Sequence, residues 1–181
     1  FETVAVIGAG TMGLINAQVA RAFGAKALVS EMMEKKLKTA EAMGFETVDC
    51  RKEDPVKAVM DMTEGKGADA VIVAVGSTLA NKQALEMLKE KDGRILLFAA
   101  GYPAPEMDVD SNQIHYRRTE IIGTFGADNA DFIQAAKALS TGMADVSMLV
   151  EKKTFTLDEI QEAYREASKP GMYRVSVLLD Q

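Results

Sequence analysis

Between Val4 and Gly13 the chain reads VAVIGAGTMG, an apolar run that ends in three closely spaced glycines. Val4 to Ile7 suit a strand buried on both faces, and Met12, Ile15, Val19, Ala22 and Phe23 follow at helical spacing. The glycines therefore mark a strand-to-helix turn. Gly8 permits the tight turn, Gly10 puts no side chain between the backbone and an approaching group, and Gly13 lets the helix lie close to the sheet. The N–H groups near Thr11 and Met12, with the positive end of the helix dipole, face the opening and suit a pyrophosphate. Glu31 stands 23 residues after Gly8, at the tip of the run Ala27 to Ser30. Its carboxylate can accept from both hydroxyls of a ribose and would repel a 2′-phosphate. NAD is the expected cofactor, ahead of NADP.

Short apolar runs then alternate with helical periodicity, as in a parallel sheet with crossover helices. Strands are expected at Val4–Ile7, Lys26–Ser30, Thr47–Asp49, Ala70–Val75, Arg94–Ala99 and Glu120–Thr124. Helices are expected at Thr11–Phe23, Glu34–Met43, Pro55–Thr63 and Leu79–Lys89. Gly24 and Gly44 end two of these, and Asp54 caps the one opened by Pro55. The fold class is α/β, a Rossmann fold with a six-stranded, doubly wound parallel sheet and helices on both faces. The stretch Tyr102 to Asp110 reads as a surface loop. Beyond Gly126 the rhythm changes to a helix at Asp128–Ser140, an apolar piece at Val146–Val150, a helix at Leu157–Ala167 capped near Thr156 or Asp158, and a strand at Arg174–Leu179. Residues 1–126 form the expected dinucleotide-binding unit and 127–181 a C-terminal extension.

The net charge of −6 argues against a general nucleic-acid or anionic-membrane surface, since such binding needs clustered Lys and Arg. No tract is apolar enough to span a bilayer. Cys50, the single cysteine, rules out an internal disulfide framework, fits a reducing cytoplasm and reads as an inert, buried thiol. With one Cys and one His, His115, no zinc set of the usual ligand types can be assembled from these residues. The 11 methionines are scattered through helices and read as core filling.

Taken together, GAGTMGLINAQVARAFGA, VSEMMEKKLKTAEAMGF, GADAVIVAVGS, GRILLFAAG, EIIGTFGA and TFTLDEIQEAYREA resemble the zinc-containing medium-chain alcohol dehydrogenase family, particularly its polyol and threonine dehydrogenase branch. The resemblance covers essentially the whole chain, and the order and spacing of the segments are more specific than any one of them. It implies a coenzyme domain whose catalytic domain precedes it in sequence. That domain would supply the Cys, His and Glu ligands of a zinc ion that polarises the oxygen of a small polyol or alcohol during hydride transfer. The start at Phe1 and the unpartnered tail fit a chain cut from a longer one.

By position, the resemblance assigns Gly8, Gly10, Thr11, Met12 and Gly13 to the pyrophosphate turn and Glu31 to the ribose, where the family usually has Asp. Lys36 would lie along the adenosine, or be an ordinary exposed helix lysine. Val75 and Gly76 would lie beside a ribose, Ala99 and Ala100 near the nicotinamide, and the Phe125 backbone at its carboxamide; tight packing at the sheet ends is the alternative for the small residues. Arg174 would stand near the pyrophosphate, or be a surface charge beside a strand. None of the 181 residues reads as a catalytic acid, base or metal ligand, so the chain alone should bind cofactor without turnover. A homodimer through the sixth-strand edge is implied, with Ser111 to Tyr116, Ile121 and Ile122 beside it. GAGTMG also resembles the opening of 3-hydroxyacyl-CoA dehydrogenases, although His115 lacks their context. A non-catalytic NAD(H)-sensing module is a further alternative.

Overall fold

The computed structural model describes residues 1–179. Six strands form one parallel sheet: β1 (Thr3–Ile7), β2 (Lys26–Glu31), β3 (Glu46–Asp49), β4 (Ala70–Val73), β5 (Arg94–Leu97) and β6 (Glu120–Gly123). Their spatial order is β3-β2-β1-β4-β5-β6, the doubly wound arrangement whose switch point lies between β1 and β4. Val6 pairs with Val29 on one side and Ile72 on the other, which places β1 at the centre. Strands buried on both faces need no polar alternation, and the apolar runs of β1 and β4 follow from that.

Helices α1 (Thr11–Ala22), α2 (Glu34–Ala42), α3 (Pro55–Met62) and α4 (Thr78–Met87) cover the two faces. Because successive side chains of a strand point to opposite faces, β1 serves both cores. Val4 and Val6 pack with Leu14, Ala17, Val29 and Ala40 beneath α1 and α2. Ala5 and Ile7 pack with Val59, Val71, Ala84 and Ile95 beneath α3 and α4. Asp54 accepts from Val56 N–H at the start of α3, with Pro55 in the first turn, and Ser77 accepts from Ala80 N–H at the start of α4. Gly24 and Gly44 follow α1 and α2 with φ of +89° and +76°.

The structure corrects the expected elements at several points. β4 and β5 stop at Val73 and Leu97, two residues earlier than expected, because the chain turns where Gly76 and Ala100–Gly101 meet backbone to backbone. Ser111–Arg117 forms a helix, α5, capped by Asp110, whose carboxylate accepts from Asn112 N–H. Among the described residues α5 buries no side chain, so it carries no apolar stripe in the sequence. The helix α6 (Asn129–Ser140) opens on reciprocal hydrogen bonds between Asp128 and Asp131. The apolar piece at 146–150 becomes a 3-10 turn at Ser147–Leu149 running into a strand, β7 (Val150–Thr156). A second turn, Leu157–Glu159, leads into α7 (Ile160–Ala167), and Thr156 rather than Asp158 is the cap. β8 (Arg174–Leu178) pairs in parallel with β7 as a separate two-stranded sheet.

The extension is fastened to the α1–α2 side of the Rossmann unit. Gln18, buried on α1, donates to Asp145 C=O and accepts from Asp145 N–H, both at 2.8 Å. Leu149 and Tyr173 join the core beneath α1 and α2. Lys35 of α2 forms a 2.7 Å ion pair with Glu151 of β7.

Candidate dinucleotide-binding site

The glycine turn between β1 and α1 lies at the carboxyl end of the sheet, next to the switch point, where open α/β sheets hold their ligands. Its glycines are there for different reasons. Gly13 faces the turn so closely that a Cβ would lie 1.9 Å from Gly8 O. Gly8 has φ +102°, and a Cβ there would meet Val75 Cγ2 at 2.4 Å. At Gly10 the backbone is ordinary, with φ −71° and ψ 178°, and the nearest atom to an added Cβ is Lys36 Nζ at 3.9 Å. Nothing in the chain demands glycine at this position.

The first turn of α1 is also open. Helices α3, α4, α5 and α6 each begin on a side-chain cap. α1 has no side-chain cap and no acidic residue in its first turn, so the N–H groups at Thr11 and Met12 and the positive dipole end face outward. Two cations flank this opening. Lys36 comes from α2, and Arg174, at the start of β8, brings its guanidinium to 3.9 Å from Met12 Sδ. Lys35, by contrast, is engaged by Glu151.

Glu31 ends β2 beside the turn. Its Oε2 accepts from Ala9 N–H at 3.0 Å, and its Oε1 from Met32 and Met33 N–H at 2.7 and 3.0 Å. The carboxylate is thus fixed between the glycine turn and the start of α2 by three backbone donors. Glu151 is held below the usual carboxylate range by its hydrogen bond from Lys35 and by Tyr173 N–H. Burial pushes the Cys50 thiol up, so it stays protonated at neutral pH.

Val75 and Gly76 follow β4, Ala99 and Ala100 follow β5, and Phe125 follows β6, at three consecutive carboxyl ends of the sheet. A Cβ on Gly76 would lie 2.3 Å from Ala100 O, so the two loops touch through bare backbone. Ala99 N–H donates to Val73 O. The Phe125 side chain is fully exposed. His115 is exposed on α5, edge-on to Tyr116, and takes no part in this grouping. Sequence reasoning missed Tyr173, whose hydroxyl donates to Ala9 O at 3.2 Å across 164 positions. No local pattern announces such a contact.

Among the described residues no three His, Cys, Asp or Glu side chains converge to hold a metal ion. These residues do not fit a zinc site.

A family model described as zinc-binding dehydrogenase matches residues 11–141. The chain belongs to that family. Among its relatives is an L-threonine 3-dehydrogenase from Bacillus subtilis, 31% identical over 90% of this chain and 47% of that one. A sorbitol dehydrogenase from Halalkalibacterium halodurans is 29% identical over 94% of this chain and 49% of the other. The chain spans about half the length of the curated relatives it matches. A solved zinc-binding dehydrogenase from Sinorhizobium meliloti, described as bound to NADP, superposes with a TM-score of 0.87 at 25% identity, covering 98% of this chain and 52% of its own. As a zinc-binding dehydrogenase coenzyme unit, the chain is set apart from the 3-hydroxyacyl-CoA enzymes that GAGTMG alone resembles.

Proposed function

We propose that this chain binds NAD and holds its nicotinamide for hydride transfer to or from a secondary alcohol, as the coenzyme unit of a zinc-dependent polyol or alcohol dehydrogenase. The observation that carries the reading is Gly10, a glycine with ordinary backbone angles and open space around it, placed over an uncapped helix N-terminus. Its missing side chain serves something outside the chain. The Gly8–Gly13 turn and the Thr11 and Met12 N–H groups would receive the pyrophosphate, with Lys36 and Arg174 neutralising its charge. Glu31 would accept from the adenine ribose. Val75, Gly76, Ala99, Ala100 and the Phe125 backbone would form the floor on which the nicotinamide half lies. When bound, NAD supplies the hydride acceptor; the protein's own contribution is position and the exclusion of alternatives.

Glu31 favours NAD over NADP, because a 2′-phosphate would bring a second anion against a carboxylate fixed by three backbone donors. The relatives named as polyol and threonine dehydrogenases make a small hydroxylated substrate the best-supported class. Zinc ligands and the substrate pocket would belong to residues outside these 181, against which the extension 127–181 would pack, so the chain alone would bind without turnover. A cytoplasmic setting fits the single free cysteine, and the β6 edge is the proposed seat of a homodimer.

With no Trp in the chain, NADH emission can be followed directly on titration. The expected result is saturable enhancement by NADH, weaker binding of NADPH, and a tenfold or larger loss of NADH affinity in Gly10→Ala with an unchanged unfolding midpoint. Equal affinity of Gly10→Ala and the parent chain would remove the support for a pyrophosphate at this turn. Tighter binding of NADPH would overturn the role of Glu31.

A further inference from the structure

The residue between the two turn glycines, Ala9, is fully buried, and both of its peptide groups are held by side chains distant in sequence. Its N–H donates to Glu31 Oε2 at 3.0 Å. Its carbonyl accepts from the Tyr173 hydroxyl at 3.2 Å. The first helical acceptor of α1 is the next carbonyl, Gly10 O, bonded to Leu14 N–H at 3.0 Å, so the Ala9 carbonyl lies outside the helix ladder. Among the described residues the Tyr173 hydroxyl is the donor recorded for it. A buried carbonyl without a donor is unfavourable, so this single contact has leverage over the shape of the turn.

Tyr173 is itself fixed from several sides. Its N–H donates to Glu151 Oε1 at 2.8 Å, the same oxygen that takes Lys35 Nζ at 2.7 Å, and that ammonium lies 5.7 Å from the centre of the Tyr173 ring. Two residues earlier Gly171, with φ +82°, passes so close to Met33 that a Cβ would fall 2.9 Å from Met33 Cε. The segment 171–173 therefore runs tightly over the start of α2 and hooks onto the glycine turn. Burial also pushes the phenol above its ordinary value, so it remains a donor throughout the neutral and mildly alkaline range. The next residue is Arg174, whose guanidinium reaches Met12 at the open end of α1.

We infer that Tyr173 is a positioning residue for the cofactor: by clasping the Ala9 carbonyl it sets the glycine turn and holds Arg174 over the helix N-terminus, without touching the dinucleotide itself. The inference rests on the reading of the turn and Arg174 as the pyrophosphate site. It makes cofactor affinity depend on a hydroxyl supplied by the C-terminal extension. The link joins the segment that leads into β8 to the turn that follows β1.

The test is a double-mutant cycle read by NADH titration of the full chain, with Tyr173→Phe, Arg174→Ala and the pair. Tyr173→Phe is expected to weaken NADH by about 3- to 10-fold, the range of one hydrogen bond. Arg174→Ala is expected to weaken it by at least as much. The pair should bind better than the product of the two single losses, because part of the hydroxyl's effect runs through the arginine. A Tyr173→Phe chain that binds NADH like the parent overturns the inference while leaving the cofactor site intact. Independent losses that multiply in the pair also overturn it, since a merely structural tyrosine would behave that way. If the unaltered chain binds no NADH, the cofactor reading falls and the inference falls with it. Should Tyr173→Phe fail to fold, Glu151→Gln, which weakens the anchor of Tyr173 at the surface, enters the same cycle with the same expected non-additivity.

Discussion

At the scale of single residues, the glycines of this chain separate into those required by the fold and others, Gly10 and Gly123 among them, that are not. Gly13→Ala would force a Cβ against Gly8 O, backbone that has no room to yield. It is expected to destabilise the chain by about 3 kcal/mol, the upper range for overpacking, read as a fall in the urea midpoint. Gly76→Ala should behave alike, because Ala100 O stands 2.3 Å from its added Cβ. Gly123 in β6 has no atom within 4 Å of an added Cβ. Gly123→Ala is expected to be neutral, or up to ~1 kcal/mol more stable through a less flexible unfolded chain. A midpoint for Gly13→Ala matching that of Gly123→Ala would show that the turn is looser than its geometry. In sequence the glycine motif already gives Gly13 its place against the sheet, but at Gly76 and Gly123 only the backbone of the partner segment, or its absence, shows how much room there is.

At the scale of elements, what was legible in the sequence was what has a period or a punctuation mark. β1, β2, β4 and α1 announce themselves through apolar runs and spacing, and Asp54–Pro55 marks α3 in advance. The turn residues and Glu31 were equally visible, since a short motif places them. α5 was not, because a helix that buries nothing has no stripe to show. β7 was hidden for a related reason: of its seven residues only Phe155 is buried, and Glu151, Lys152 and Lys153 read as surface. The fastening of the extension was invisible because its partners are far apart in the chain. Two measurements test that fastening. Gln18→Ala leaves Asp145 N–H and C=O without their shared partner and should cost on the order of 2 kcal/mol in urea unfolding. Glu151 gives a pH dependence. Its folded pKa is depressed by Lys35 and Tyr173 N–H, so its contribution is present above the ordinary glutamate value of 4.5 and is lost as pH falls through the lower folded value. Hydrogen-exchange protection of β7 and β8 should therefore drop between pH 5 and strongly acidic pH in the parent chain. Glu151→Gln should show the lower protection already at neutral pH. Protection that stays flat in both would exclude this ion pair as a fastener.

For the whole molecule, the decisive surface is the outer edge of β6. A parallel sheet has two edges, and an unpaired one offers backbone donors and acceptors to any second strand. At β6 that edge carries Ile121 and the exposed Ile122, and exposed Phe125, Tyr116, Phe132 and Ile133 belong to the segments on either side of it in sequence. Few charges guard the strand itself: Glu120 is its only ionisable residue. Two copies meeting here about a twofold axis would pair β6 with β6 antiparallel and continue one sheet through both molecules, burying apolar side chains that a lone chain leaves in water. Light scattering across a concentration series is expected to show twice the mass of one chain, and Ile122→Lys to shift the equilibrium to the single chain by placing an ammonium in the pairing line. NADH affinity should be unchanged in that variant, because the glycine turn stands on β1, three strands inward from the edge. A parent chain that stays single at every concentration would remove the β6 edge as an interface. Loss of NADH binding together with dissociation would instead show that the carboxyl end of β6, and Phe125 with it, is shaped by the second copy.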